Sequence, residues 1–172
     1  MTNGISVKKR NGRGVEPLDL EKIHNMVEEA CKDVTGVSAS QVEIQSGIQF
    51  YDGISTAEIQ DILIKSASDL ITLDNPNYQF VAARLLLFAT RKSLYGRSRD
   101  LPHLETHIMN CTNIDVYDKE IFGKYSKEEI DKANSFIDHE RDFLFTYAGL
   151  RQVVDKYLVQ DRSTGKVYET PQ

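Results

Sequence analysis

The sequence is poor in cysteine, with two in 172 residues, Cys31 and Cys111, far apart in the chain. Neither belongs to a CxxC pair, so the sequence offers no thiol framework for a zinc site or for a set of disulfides. Nothing in this pattern calls for an oxidising compartment. We therefore expect a reduced protein with a cytoplasmic location.

Long apolar runs and an excess of positive charge are also missing. No stretch reaches the roughly 18 consecutive apolar residues of a membrane-spanning helix, and the first residues, MTNGISVKKRNGRG, lack the apolar core of a secretory signal. Lys and Arg number 21 against 26 Asp and Glu, a net charge of −5. Proteins that coat duplex nucleic acid are usually basic. We expect neither a membrane nor nucleic acid among the partners.

Histidine is scarce, and its spacing gives little support to a metal site. The four histidines stand at positions 24, 103, 107 and 139. His103 and His107 are four residues apart, which puts both on one face of a helix, but no carboxylate or thiol pattern accompanies them. We therefore predict no metal ligands.

The first half begins with a predicted β-hairpin followed by a helix. Asn11-Gly12 is a turn dipeptide that accepts positive φ angles, and it separates two short extended segments, residues 5–9 and 15–18. Asp19 then offers a carboxylate as N-cap of the first helix. The apolar positions at helical spacing in that helix are Ile23, Met26, Val27, Ala30 and Val34.

Three further helices are predicted before residue 97. Ser38 or Ser40 can cap the second, which ends before Gly53. Ser55 and Glu58 have capping-box spacing for the third, and Asn75-Pro76 is a strong start signal for the fourth. The apolar residues of the second are Val42, Ile44, Ile48 and Phe50, and the buried stripe of the third is Ile59, Ile62, Leu63, Ser66 and Leu70. The fourth, NYQFVAARLLLFATRKSLYG, is apolar around most of its circumference, so we expect it to be the most buried helix of a four-helix bundle, with Gly96 as its C-cap.

Composition changes at residue 97, where RSRDLPH reads as a linker. We predict one domain over 1–96 and a second, helical region over 97–172 that ends in two short strands around Asp161–Gly165. Its helical patterns cover 103–112, 117–122, 126–138 and 140–157. The predicted fold class is α+β and mainly α.

Cations of the first half concentrate at three places that a bundle would bring together. Lys9 and Arg10 end the first strand, Lys22 begins the first helix, and Arg91 with Lys92 ends the fourth. In an up-down-up-down bundle, Lys22, Thr56 and Lys92 lie at one end, under the hairpin. The N-termini of the first and third helices would add exposed N–H groups there, which suits a polyphosphate.

Ordinary structural roles could also explain these residues without a binding site. Lys and Arg in hairpins, such as Lys8 and Arg13, are usually solvated, and cations in a last helical turn simply complement the helix dipole. Thr56 can serve only to start the third helix. The sequence contains neither GxxxxGK[ST] nor GxGxxG, so it offers no phosphate loop.

Three blocks of sequence resemble a known family. VKKRNG…DLEKI, IQFYDGISTAEIQ and PNYQFVAARLLLFATRKSLYG are similar to the ATP-cone that begins the large (alpha) subunit of class I ribonucleotide reductase, in its bacterial and T-even-like phage forms. YSKEEI and FIDHERDFLFTYAGLRQVVDKYLVQDRSTGKVYETPQ resemble the stretch that leads into the catalytic barrel of that subunit. The resemblance implies a three-stranded sheet capping a four-helix bundle, with nucleotide bound beneath the cap.

The resemblance also implies the nucleotide contacts, because the family pattern can be carried over position by position. Lys9 matches a nucleotide contact of the first strand and Lys92 matches the phosphate-binding lysine of the fourth helix. Glu16 and Asp19 match base-contacting positions, and Gln60 stands where dATP-sensitive members commonly carry His. Those members also tend to carry His at the position of Ala89 and an aromatic residue at that of Glu29. The complete set of nucleotide-binding residues implied is Val7, Lys9, Arg10, Glu16, Asp19, Lys22, Ile23, Thr56, Ile59, Gln60 and Lys92.

The function implied is allosteric control of deoxyribonucleotide synthesis. ATP or dATP would be the effector, with Mg²⁺ accompanying the triphosphate, and the partners would be the remainder of the large subunit and the small (beta) subunit. The barrel cysteines of that enzyme have no counterpart here, so we expect no catalytic residues and no reductase activity of this chain alone, as for a truncated or naturally split subunit.

Three other functions compete with nucleotide regulation. The cone could have lost nucleotide binding and serve only as an assembly module, an alternative kept open by the departures at positions 29, 60 and 89. A transcriptional repressor with the same cone needs a zinc ribbon with four cysteines, and this chain has two. A stand-alone kinase or ATPase needs a phosphate loop or a catalytic acid–base set, and the sequence contains neither.

Overall fold

The computed structural model of the protein describes residues 4–9 and 14–172. The predicted turn at Asn11-Gly12 and the side chains of Arg10 and Arg13 lie outside the described residues. The chain forms two compact units, the first made of Met1–Ala89 with Phe145–Arg151 and the second of Thr90–Leu144 with Gln152–Gln172. The domain limits predicted at 96 and 97 stay a prediction.

A three-stranded sheet opens the first unit. Strand β1, Ser6–Lys8, is central, with β2, Val15–Pro17, antiparallel on one side and β3, Ile54–Ser55, parallel on the other. Val7 and its partner Ile54 are buried, at 3% and 0% exposure, which marks the face of the sheet that covers the core. The predicted hairpin strands and the three-stranded sheet implied by the family are confirmed.

Helix α1, Leu20–Cys31, begins as predicted because Asp19 caps it. The side chain of Asp19 accepts the backbone N–H of Lys22, and the apolar face of the helix is buried at Ile23, Val27 and Ala30. The prediction that the same stripe continues to Val34 was wrong. The helix ends at Cys31, and Asp33 has a φ of 58°, a left-handed conformation that an α-helix does not tolerate.

Helix α2, Ala39–Gly47, is shorter than predicted, and it ends before Ile48 and Phe50. Its buried positions are Val42 and Ser46, one turn apart, and Ile44 points to solvent with 69% exposure. Two residues correspond to about half a turn of helix, so burial of Val42 turns Ile44 outward. Ser38 occupies the N-cap position, but its hydroxyl makes no capping hydrogen bond.

Helix α3, Thr56–Asp69, begins with the predicted capping box of Ser55 and Glu58, which is confirmed. Helix α4, Tyr78–Tyr95, begins two residues after Pro76 and is buried as predicted. Gly96 ends it with a φ of 72° and an N–H donated to the carbonyl of Lys92 at 3.0 Å. The buried residues of α4 are Tyr78, Val81, Ala82, Ala83, Leu85, Leu86, Leu87, Phe88, Thr90 and Arg91.

Hydrogen bonds fix the direction of the first part of α4. Tyr78 Oη accepts the N–H of Ser38 at 3.0 Å, and Arg84 donates to the carbonyls of Ala30, at 3.2 Å, and Lys32. Helix α4 therefore starts at the end of the bundle where α1 finishes and α2 begins. This is the arrangement of helices that alternate in direction.

The second unit is built from short helices and a small hairpin. These elements are α5, Leu104–Asn113; α6, Ile121–Lys124; α7, Lys127–Asn134; a 3-10 helix, His139–Leu144; and strands β4, Gln160–Asp161, and β5, Lys166–Val167. Helix α8, Tyr147–Lys156, belongs partly to each unit. The predicted terminal strands are confirmed, as is the α+β, mainly α, fold class. Within residues 4–9 and 14–172, none of the helices has both the length and the apolarity needed to cross a lipid bilayer.

Candidate functional site

The core-facing side of the sheet carries an ion pair at its end. Val7 is paired with Glu16 across β1 and β2, and Lys9 lies two residues beyond Val7, so all three occupy the same face. Lys9 Nζ is 2.8 Å from Glu16 Oε2, with side-chain exposures of 45% and 37%. The hydrogen bond from Lys9 lowers the pKa of Glu16. The first strand therefore delivers a cation that already has a carboxylate partner.

A second pair lies at the start of α1. Asp19 Oδ1 accepts the N–H of Lys22 at 3.1 Å, and Lys22 Nζ is 3.1 Å from Asp19 Oδ2. The pKa of Asp19 is lowered, first by the Lys22 backbone hydrogen bond, and the pKa of Lys22 is raised by the Asp19 side chain. The next residue, Ile23, is buried. Lys22 is thus held at the helix start by its own capping residue.

These two ion pairs belong to one group of charges. Attraction by Lys22 contributes to the low pKa of Glu16, and Glu16 in turn contributes to the raised pKa of Lys22. We call the four side chains Lys9, Glu16, Asp19 and Lys22 the charged cluster. Two cations and two carboxylates leave it balanced, so a ligand anion must compete with carboxylates that are already in place.

The start of α3 stands beside β1. Ser55 is paired with Lys8, so Thr56 follows one residue further along, level with Lys9. Ser55 Oγ accepts the N–H of Glu58 at 3.1 Å, and the carboxylate of Glu58 accepts the N–H of Ser55 at 2.9 Å. These bonds to Ser55 lower the pKa of Glu58 to about 2. Thr56 is half-buried and Ile59 is buried in the core.

The predicted caps bring a carboxylate to each of the two helix starts. We had also expected the N-termini of α1 and α3 to present exposed N–H groups and a positive dipole. Instead, Asp19 and Ser55 each satisfy the N–H of the third helical residue, and the carboxylates of Asp19 and Glu58 stand at the two starts. A carboxylate at a helix N-terminus offsets its dipole. Attraction of an anion here therefore depends on the lysine side chains.

Gln60 is buried at 6% exposure, and its Nε2 lies 3.8 Å from Met26 Sδ. A primary amide in this position faces α1 from α3, in the core between the two helices. The side chain can form hydrogen bonds but carries no charge. Because it is buried, the packing of the bundle determines the position of Gln60.

The cations at the end of α4 differ from each other. Arg91 is 4% exposed and pairs with Asp142 at 2.9 Å in the second unit, so it is committed to structure and cannot serve as a phosphate ligand. Lys92 lies in the last turn of α4, also in the second unit. The other predicted residues that the structure describes belong to the first unit, and among them the contacts link Lys9 with Glu16 and Asp19 with Lys22. Those residues are Val7, Lys9, Glu16, Asp19, Lys22, Ile23, Thr56, Ile59 and Gln60.

Sequence reasoning missed the residues that hold β3 in register. Asp52 accepts the N–H and the hydroxyl of Ser6 at 2.8 and 2.5 Å, and Tyr51 donates its hydroxyl to Glu58 at 2.7 Å. Gly53 has a φ of 82° and donates its N–H to the carbonyl of Ser6 at 2.9 Å. Asp-Gly is a turn signal, and with Tyr51 it could have marked this loop as an anchor for the sheet.

A possible metal group occurs in the second unit. His103, Glu105 and Asp131 bring their ligand atoms within 4.8 Å of one another. His103 Nδ1 accepts the N–H of Glu105 at 3.3 Å, so the ring proton is on Nε2, which lies 3.6 Å from Asp131. Exposed acidic groups often gather near a histidine without an ion, and His103 and Asp131 are both exposed, so we assign no metal to this group. His107 faces Tyr95 and Tyr117 instead.

Comparison with known proteins identifies a family model and several relatives that match this chain. The model of the ATP cone domain matches residues 5–93. The chain is 44% identical over 172 residues to the ribonucleoside-diphosphate reductase subunit alpha of Haemophilus influenzae and to the ribonucleoside-diphosphate reductase 1 subunit alpha of Escherichia coli. It is 43% identical over 170 residues, 98% of its length, to the subunit alpha of Enterobacteria phage T4. The first two matches cover all of this chain, and the chain spans 22% of each of the three relatives.

Proposed function

This chain belongs to the ATP cone domain family, and on that premise we propose that its first unit binds ATP or dATP as an allosteric effector. The observation that carries the proposal is the charged cluster beside Val7 and Thr56. It combines ammonium groups for a triphosphate with carboxylates for the nucleoside, on one face of the sheet and the adjoining helix start.

The roles follow from the chemistry of the side chains. Lys9 and Lys22 give point charges for phosphate oxygens, and Thr56 gives a hydroxyl. Arg10 and Lys92 join them by resemblance to the family. Glu16 and Asp19 are acceptors, and the donors of a nucleotide are its ribose hydroxyls and the amino group of its base. Mg²⁺ would accompany the triphosphate.

The regulatory role extends beyond this chain. We propose that the effector controls the overall activity of a ribonucleoside-diphosphate reductase, to which the rest of the large subunit and the small subunit contribute. No residue of this chain is assigned a catalytic role. The two free thiols, Cys31 and Cys111, agree with the cytoplasmic location that we propose.

Discrimination between ATP and dATP concerns one hydroxyl group, and it can act only through a difference in affinity for two states. With Gln60, Ala89 and Glu29 in the positions noted above, we propose that this cone binds either nucleotide but transmits dATP inhibition weakly. Strong dATP inhibition of the complete enzyme, relieved by Lys9→Ala or Lys92→Ala, would refute this part.

Titration calorimetry of the chain with Mg-ATP and Mg-dATP tests the binding itself. We expect saturable binding of both, weakened about tenfold or more by Lys9→Ala, since a charge-assisted contact is lost. Lys65→Ala is the matched control, because Lys65 is exposed on α3 and its Nζ lies 2.9 Å from Asp69, one turn further along the same helix. Absence of binding by the folded chain would favour the assembly-only alternative.

A further inference from the structure

The carboxylate of Glu16 forms an ion pair with the ammonium group of Lys9, which a bound phosphate would also need. The register of β1 and β2 puts Lys9 and Glu16 on the core-facing side of the sheet, and Lys9 Nζ to Glu16 Oε2 is 2.8 Å. The backbone of Lys9 is fixed as well, since its N–H donates to the carbonyl of Gly14 at 3.1 Å. The lysine is therefore held in place with a carboxylate on it.

The same carboxylate also attracts the second lysine of the site. Lys22 contributes to the low pKa of Glu16, whereas Asp19 opposes it. Glu16 is half-buried in β2, four residues before α1 begins at Leu20. A triphosphate placed on Lys9 would bring several negative charges against this carboxylate, so Glu16 has to give up the ammonium group when phosphate arrives.

We propose that Glu16 is an internal competitor that screens ligands by requiring a nucleoside as well as phosphates. This inference rests on the proposed function. A bare polyphosphate displaces Glu16 from Lys9 and gives it no new partner. A nucleotide displaces it too, but supplies hydroxyl and amino donors for the released carboxylate. The displaced carboxylate, 37% exposed, is then solvated and still repels the bound anion, and only a nucleotide offsets this repulsion with new hydrogen bonds, so the screen acts against simple anions.

The consequence is that removing the charge of Glu16 should affect the affinity for a bare anion and the affinity for a nucleotide differently. Removing the charge of Glu16 helps an anion that only needs Lys9, because the competitor has gone. It does not help a nucleotide in the same way, because the amide of Gln accepts through one neutral oxygen and the charge-assisted hydrogen bonds to the nucleotide are lost. Since exposed ion pairs are weak, we expect a gain of about two- to fivefold for the bare anion.

The test is calorimetry of the full chain and of Glu16→Gln with Mg-tripolyphosphate and with Mg-ATP. Asp74→Asn is the matched control, an exposed carboxylate in the loop before α4, and it removes the same charge outside the charged cluster. We expect Glu16→Gln to strengthen the binding of tripolyphosphate about two- to fivefold and to leave the binding of ATP unchanged or weaker. Asp74→Asn should shift both ligands alike.

The possible results separate this inference from the proposed function. If the native chain binds ATP but Glu16→Gln leaves tripolyphosphate unchanged or weaker, the competitor role is overturned and the effector site survives. If the native chain binds neither ligand and only Glu16→Gln binds tripolyphosphate, the competitor role stands and the effector function fails. Binding of neither ligand to either protein overturns both. Equal strengthening of both ligands by Glu16→Gln also overturns the screen, because no acceptor role is then seen.

Discussion

Arg91 and Asp142, 51 residues apart in sequence, form an ion pair inside the second unit, with Arg91 Nη2 2.9 Å from Asp142 Oδ2. Both side chains are buried, at 4% and 0% exposure, and Arg91 also donates to the carbonyl of His139 at 2.8 Å. Burial raises the pKa of Asp142, and the hydrogen bond from Arg91 opposes that effect. The pair joins the last turns of α4 to the 3-10 helix.

Breaking this pair should be severely destabilising. Asp142→Ala leaves a buried guanidinium without its counterion, and we expect a loss of about 3–5 kcal/mol in the free energy of unfolding of the second unit. Urea denaturation, monitored through the hydrogen exchange of the α5 amides, measures this loss of stability. The double variant Arg91→Met, Asp142→Leu is the control, and it should recover most of the loss because no charge stays buried. A loss below 1 kcal/mol in Asp142→Ala would contradict the prediction.

The proton on His107 can be assigned from its neighbours. Tyr117 donates its hydroxyl to Glu169, so it can only accept from His107 Nε2, 3.2 Å away. His107 Nδ1 then accepts from Tyr95 at 3.1 Å. Burial lowers the pKa of His107, so we expect a neutral ring with its proton on Nε2 at pH 7. Nitrogen-15 NMR of the imidazole tests this, and a proton on Nδ1 or a charged ring would contradict it. In Tyr117→Phe the tautomer preference should weaken.

Stability of the first unit should depend on pH through His24. Its Nδ1 lies 2.8 Å from Glu43 and its Nε2 3.4 Å from Glu28, and the hydrogen bond with Glu43 is the main cause of its raised pKa. A raised folded-state pKa gives stability that is fully present below the unfolded pKa of about 6.5 and is lost as pH rises through the folded value. We expect the urea midpoint to fall between pH 6 and pH 8. The fall should be smaller in His24→Gln, and an equal fall in both proteins would rule out His24 as the cause.

The capping box of α3 should support both the helix and the site beside it. Ser55→Ala removes the acceptor for the N–H of Glu58, and we expect a loss of about 0.5–2 kcal/mol in stability. The chain offers a matched control in α7, where Ser126 and Glu129 form the same box in the second unit. Both variants should lose stability, but only Ser55→Ala should also weaken nucleotide binding. If the two variants bind nucleotide with equal affinity, the start of α3 does not contribute to the nucleotide site.

Local signals in the sequence were sufficient for most of the first unit. Asp19, Ser55 and Gly96 act on backbone groups within four residues of themselves, so their capping roles could be predicted without knowledge of the fold. The hairpin pairing also involves only neighbouring segments. In contrast, helix α2 was extended too far, because apolar residues at Ile48 and Phe50 continued a pattern that the backbone does not follow.

Charge pairing could not be predicted in the same way. Arg91 was grouped with Lys92 because they are adjacent in sequence, but its partner Asp142 lies in a different helix. The pairing of Lys9 with Glu16 depends on strand register, which the predicted segments 5–9 and 15–18 did not fix. Sequence therefore indicated which residue types gather at the sheet, but not that the cations are already neutralised there.

The order of strands in the first unit has a consequence for synthesis of the protein. Strand β1 is central, yet one of its two neighbours, Ile54–Ser55, is made only after α1 and α2. A nascent chain that has emerged only as far as α2 carries a hairpin whose inner edge is unpaired, and an open strand edge can pair with other chains. Contacts between distant segments also form slowly. Val7 gains its pairing partner Ile54 only when residue 54 has emerged, so a pause between the emergence of α2 and that of β3 would expose this strand to misassembly.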